Sequence, residues 1–219
     1  MTLGIIGVIS AMTVPSLMQN YQRQSYITQL HKVYNEVQQA SLQYITERNA
    51  INLIEAGITS QAAIRDFSKT HFKIVKDCTK SGTECFSAEN SLLNGTRRTS
   101  SFAFSSGYCF VTAGGASLCI DPPSLYNVTV NGTVSRYGNI LIDSNGPKGP
   151  NIFGRDMFYA AFYPDGSIDV VGATPECKAK GICNEASLEA IRNSEFNKCK
   201  TSDRGCMGKI LNDNWQMTY

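Results

Sequence analysis

From Leu3 to Met18 the chain reads LGIIGVISAMTVPSLM, with no charge and only Ser10 and Thr13 clearly polar. Polar residues take over at Gln19, yet a pattern persists. Ile27, Leu30, Tyr34, Val37, Ser41 and Tyr44 fall at alternating three- and four-residue steps, and Val33 and Ala40 broaden the row. That spacing lines one face of a helix. No Gly or Pro interrupts Ser16 to Ala50. The pattern predicts a single helix over 3–48, near 70 Å long at about 1.5 Å per residue. Its first third is apolar all round and the rest is one-sided, so two environments are expected along one rod. Pro15 removes a backbone donor and should kink or loosen the helix locally. The apolar run is shorter than the roughly 20 residues that span a bilayer. It lacks the basic flank and the small-residue cleavage site of a signal peptide. A buried core helix is the competing reading.

The remainder, 49–219, reads as one globular head. A second helix is expected within 49–76, capped by Ser60 or Thr59 and carrying Ala63, Ile64, Phe67 and Phe72 on a weak apolar face. From Ser101 the texture turns to strands. SFAFSS alternates, and YCFVTAGGASLCI places two apolar runs around Gly114-Gly115, a hairpin signal. YNVTVNGTVSRY offers a second hairpin at Asn131-Gly132. NILID, MFYAAFY and SIDVV follow, the last two joined by a turn at Pro164-Asp165-Gly166. A helix at 185–196 and a short strand at 215–219 end the chain. The fold class is α+β: a long N-terminal helix (1–48) packed on the antiparallel sheet of a head domain (49–219) with crosslinked loops.

Charge changes little in this picture: 20 Lys and Arg against 18 Asp and Glu leave +2, which argues against a nucleic-acid partner. Cysteine changes more. Cys78, Cys85, Cys109, Cys119, Cys177, Cys183, Cys199 and Cys206 make an even number with no CxxC, and two histidines supply a zinc cluster poorly. Disulfides fit better, and they place the head in an oxidising compartment. Neighbour pairing (78–85, 109–119, 177–183, 199–206) and a scheme linking 177–199 and 183–206 both remain open. Cys109 and Cys119 can bridge their hairpin if its loop has three residues.

The segment Thr2–Tyr21, with Gly7 and then Pro15 eight residues on, resembles the N-terminal helix of type IV pilins and type II secretion pseudopilins. Two further stretches point the same way. Ile142–Phe158 resembles a D-x-N-G-x-x-G-P-N-x-x-G-x-D-x-F signature found in a subset of bacterial pilin-like proteins. Cys206 through Trp215 resembles their C-terminal Cys-helix-Trp-strand ending. The resemblance implies a basic leader, a methylated Phe and a nearby glutamate, which this sequence lacks; by alignment they fall before Met1 and lengthen the apolar run to a full span. It also implies a function. The apolar helix anchors the subunit in the cytoplasmic membrane, with the head outside the cytoplasm. On assembly into an extracellular filament with other pilins, Leu3, Ile5, Ile6, Val8, Ile9, Met12, Val14, Pro15 and Leu17 pack against neighbouring helices. The expectation is a structural subunit, major or minor, of a pilus or secretion pseudopilus. The alternative is a minor pilin acting as an adhesin or a ligand- or DNA-binding tip module.

Candidate chemistry is sparse. Asp143-x-Asn145-Gly146 has the alternating oxygens of a calcium loop, and Asn151 and Asp156 can add ligands. Some pseudopilins bind calcium in a head loop, so calcium is the one cofactor considered. Pro147 and Gly154 break the EF-hand pattern. The plainer reading gives Asp143 and Asn145 Asx-turns and has Asp156 cap the loop or pair with Arg155. Trp215 is expected in the core, and His31 and His71 at a surface or interface rather than as ligands. None of the common hydrolase, nucleotide or metalloprotease motifs is present, and no enzymatic activity is expected.

Overall fold

The computed structural model describes residues 2–78, 84–99, 104–179 and 185–219, and the side chains of these from residue 18 onward except 185 and 186. One helix, α1 (Thr2–Glu47), runs without interruption past Pro15. Residues 18–24 are all exposed, and among the described side chains the first buried one is Ile27. From there the expected stripe is the one that packs: Ile27, Leu30, Val33, Val37, Ala40, Ser41 and Tyr44 are buried. The helix stops because Asn49 takes a left-handed conformation (φ 50°). The Ala50 N–H then reaches the Ile45 carbonyl and the Asn49 N–H that of Thr46, the pairing of a Schellman terminus with Asn in the usual glycine position.

Helix α2 (Gln61–His71) begins where the Ser60 side chain accepts from the Ala63 N–H. It occupies only part of the 49–76 window. Residues 51–57 form turns, and Ile74–Cys78 extends as strand β1. The sheet continues with β4 (Tyr108–Thr112), β5 (Ser117–Ile120), β6 (Tyr126–Val130), β7 (Thr133–Asp143), β8 (Met157–Phe162) and β9 (Ile168–Asp169), all antiparallel, in the order β1-β4-β5-β7-β8-β9 with β6 on β7. A separate hairpin pairs β2 (Glu89–Ser91) with β3 (Arg97–Thr99). Both anticipated hairpins form. Asn131 and Gly132 carry the positive φ that a two-residue primed turn requires. At the β8–β9 turn, a Cβ on Gly166 would lie 2.4 Å from Ser41 Cβ, so a glycine and a small serine let this turn press on α1.

Period-two alternation divides the sheet. Phe110, Leu118, Ile120, Ile140, Ile142, Phe158, Ala160 and Phe162 face α1 and α2. Cys109, Cys119, Leu141 and Met157 face the other way, into a second cluster with Cys78, Cys85, Phe86, Phe104 and Phe153.

The C-terminal part adds α3 (Pro175–Ala179), α4 (Glu185–Cys199) and α5 (Cys206–Asn212). Buried Asp169 ties α3 and α4 to β9: it accepts from Arg192 through Nε and Nη2 at 3.0 and 2.6 Å and from Lys178 at 3.0 Å.

Several sequence expectations need correcting. The segment 101–106 was expected as a strand; its described part, from Phe104, is a loop and turn. No strand forms at 215–219, because Asn214 and Trp215 both have positive φ (51° and 61°) and turn the chain against α1. Trp215 is half-buried rather than core; it stacks on His31 at 4.0 Å and meets Tyr34 edge-on. The His71 side chain is 3% exposed, against Tyr44 and Phe67, and burial holds its pKa below the ordinary value.

Candidate functional site: a projecting helix, crosslinks and an oxygen-lined loop

Leu3, Ile5, Ile6, Val8, Ile9, Met12, Val14, Pro15 and Leu17 all lie in α1, N-terminal to the exposed stretch. Met18 and Tyr21 are 59% and 74% exposed, so the rod leaves the head with apolar side chains uncovered. Among the described residues no helix is long and apolar enough to cross a membrane.

The cysteines follow the neighbour scheme. Cys78–Cys85, Cys109–Cys119 and Cys199–Cys206 are bonded, which removes the 177–199 and 183–206 alternative. Cys177 is also disulfide-bonded; the Cys183 end of the expected 177–183 pair lies outside the described residues. The Thr112 N–H reaches the Ala116 carbonyl, leaving the three-residue loop that the 109–119 bridge needed. The two cysteines sit directly opposite each other in register, three positions from that hydrogen-bonded closure and hence at a closer, non-hydrogen-bonded pair.

The calcium candidates converge in the loop between β7 and β8. Asp143 ends β7 opposite Met157, with its side chain on the crosslinked face. The Ser144 N–H donates to the Asp156 carbonyl at 2.8 Å. Asn151 has φ 53°, and its N–H donates to Asp156 Oδ2 at 2.8 Å while the Ile152 N–H donates to Oδ1 at 2.7 Å. The Asn145 amide donates to the Gly149 carbonyl at 3.1 Å. Gly146 (φ 68°) has room for no side chain, since a Cβ would lie 2.5 Å from the Gly115 carbonyl oxygen.

The electrostatics are unusual. Asp143 and Asp156 are both 0% exposed. Burial, then the charge of Asp156, pushes the Asp143 pKa up to about 9. Burial likewise raises that of Asp156, against the pull of the Ile152 and Asn151 amides. The N–H groups of Asn145 and Gly146 lie near the Asp143 carboxylate and offset part of its shift, but neither completes a hydrogen bond to it, the Gly146 N–H bonding the Asp143 backbone carbonyl at 3.3 Å instead; both carboxylate oxygens are without a partner. The Ser144 hydroxyl and the side-chain oxygens of Asn145 and Asn151 are unpartnered too. The Asx-turn expected of the Asp143 side chain is therefore not made. Asp156 caps the loop as expected, without an ion pair to Arg155 among the described residues. Nothing in the sequence pattern signalled Ser144.

The loop is tied into its surroundings. The Ser91 N–H donates to the Asn151 carbonyl and the Phe153 N–H to that of Ser91, which joins the loop to β2. A Cβ on Gly154 would lie 2.7 Å from Cys206 Sγ. Ser144, Asn145 and Lys148 face Gln29, Val33 and Glu36 of α1 across a cleft of about 270 Å³.

A larger open cleft, about 540 Å³, is lined by Gln61, Arg65, Lys69, Asp77 and Tyr108. Lys69 and Arg65 lie 2.9 and 3.6 Å from Asp77, so its charges largely satisfy one another.

The fold thus defines an α+β protein with a long N-terminal helix on an antiparallel sheet and disulfide-linked loops, an architecture compatible with the pilin-like class. No protein-family model, no curated protein and no solved structure matches the chain.

Proposed function

We propose that this chain is a structural subunit of a type IV pilin-like or secretion-pseudopilin filament, assembled through α1, with its head outside the cytoplasm. The observation that carries the proposal is the division of α1. Its C-terminal part is committed to the head through the stripe from Ile27 to Tyr44, while residues 18–24 are all exposed, with only Asn20, Arg23 and Gln24 bordering the C-terminal segment across an open cleft. A helix extended beyond its domain, with an apolar sequence at the free end, needs a second apolar environment. A bilayer before assembly and neighbouring helices afterwards supply it in turn, at about 25 cal/mol per Å² buried. The disulfides support export, since such bonds persist in oxidising compartments. The role is structural rather than enzymatic.

The test is fractionation of the source cells combined with cysteine crosslinking. With cysteines introduced at Ile5 and Met12, the expected outcome is disulfide-linked multimers in sheared surface filaments and a membrane-bound pool of monomer. Recovery of the chain solely as a soluble, non-crosslinking monomer would overturn the reading. Abundance in sheared filaments distinguishes a major subunit from the scarce tip module of the alternative reading.

A further inference from the structure

We propose that Asp143, Ser144, Asn145, Asn151 and Asp156 form a binding site for a calcium ion in the loop between β7 and β8. The unpartnered oxygens of this loop point to the ion whether or not the chain forms filaments. Buried polar groups in folded proteins are nearly always paired, and a buried carboxyl with no partner must either hold a proton or find a cation. Here a fully buried carboxylate has neither oxygen satisfied, beside a second fully buried carboxylate, and three neutral side-chain oxygens of the same loop are also unpartnered. No lysine or arginine pairs with either aspartate among the described residues. A cation is the species that satisfies all of these atoms together.

The donor set selects which cation. All of the donors are oxygens. Among the described residues no three His, Cys, Asp or Glu side chains gather as a zinc or copper site would require. Two carboxylates balance a divalent charge. Neutral amide and hydroxyl oxygens filling the remaining positions suit calcium, which accepts six to eight oxygens in flexible geometry. Magnesium holds to strict octahedral geometry and retains its waters. Two of the backbone features exist to bring these oxygens round: the left-handed Asn151, and Gly146 where a Cβ would strike the Gly115 carbonyl. Because the loop is bonded to β2 and packs against the Cys199–Cys206 bridge, an ion held there stiffens the part of the head that faces α1 across the cleft.

The experiment uses the full, oxidised chain in detergent, stripped with EDTA and then given CaCl2 or MgCl2. At about ten to a hundred times the dissociation constant, calcium is expected to raise Tm by roughly 3–10 °C, and equimolar magnesium by clearly less. Asp143→Asn should abolish the calcium shift, while Asp66→Asn, an exposed carboxylate elsewhere, should keep it. A Tm unmoved by calcium from micromolar to 10 mM overturns the proposal, as does a full shift retained in Asp143→Asn. Should that variant fail to fold, calorimetric titration of the wild-type chain decides: one calcium per chain supports the site, and no binding overturns it.

Discussion

On one face of the sheet, Phe110, Leu118, Ile120, Ile140, Ile142, Phe158 and Phe162 meet α1 and α2 in a layer of aliphatic and aromatic side chains. The opposite face carries two disulfides, the buried pair Asp121 and Asn139, and Asp143 among Leu141, Phe153 and Met157. The first face has two helices to cover it. Among the described residues the second is covered by loops and the short β2–β3 hairpin, which bring less apolar surface. Crosslinks and buried polar groups take the place of packing there. The helix side should therefore respond to changes in side-chain volume, and the far side to redox state, pH and ions.

The largest expected effect lies on the helix side. Phe67 is fully buried, edge-on to Tyr44 and near Phe72. Phe67→Ala should cost about 3–5 kcal/mol, from lost transfer free energy plus the cavity left behind. Urea titration with the disulfides intact measures it. A loss under about 1 kcal/mol would mean that the packed layer is not what holds α2 down.

The counterpart on the far side is the Cys109–Cys119 bridge. Cys109→Ala combined with Cys119→Ala opens a loop with a sequence separation of 10 and should cost about 2–3 kcal/mol, chiefly through freedom regained by the unfolded chain. The same double variant should remove most of the effect of mild reduction on that hairpin. If stability is unchanged, the hairpin is held by its turn and strand register alone.

The contrast between the faces also explains what could be read in the sequence. The α1 stripe from Ile27 to Tyr44 was legible because burial on a helix imposes a three- and four-residue period, and the hairpins because Gly114-Gly115 and Asn131-Gly132 are local turn chemistry. The Ser60 cap was legible for the same reason. The final segment was not: Trp215 packs on His31, some 180 positions away in sequence, and the left-handed backbone at Asn214 and Trp215 that brings it there overrides a strand-like composition. The loop at 143–156 was half legible. Its spacing exposed Asp143, Asn145, Asn151 and Asp156, but that the Asp143 oxygens are left unpartnered is a property of the folded loop alone.

Acid and base should act through the far side. Burial raises the Asp121 pKa to about 6, with the Asn139 amide bond at 3.4 Å only partly offsetting it. A raised carboxyl pKa means that the folded chain keeps a proton which the unfolded chain releases. Between about pH 4 and 6 the unfolded state therefore binds fewer protons at this group, and its contribution to stability falls as pH rises, levelling off above 6. Asp121→Asn retains the acceptor for Asn139 and removes the charge. It should flatten that slope and raise stability at pH 7 by about 1–2 kcal/mol. Paired denaturation curves at pH 4.5 and 7 with calcium held constant provide the check. An equal change at both pH values would assign the effect to packing instead.

The smallest effect tests whether the two faces are separable at all. Ser60→Ala removes the side chain that accepts from the Ala63 N–H and should cost about 1 kcal/mol as a lost helix cap. It acts on the start of α2, on the helix side, while the 109–119 bridge acts across the sheet. Changes at distant sites with no shared partner add within about 0.5 kcal/mol. The sheet is the complication, because β4 carries Phe110 towards α2 and Cys109 towards the loops on consecutive residues. If loss of the bridge lets β4 shift, the cap is no longer worth the same in its absence. Combining Ser60→Ala with the double cysteine variant should give the sum of the separate losses. A coupling well beyond 0.5 kcal/mol would show that β4 transmits strain between its faces, and that packing and crosslinking form one cooperative system.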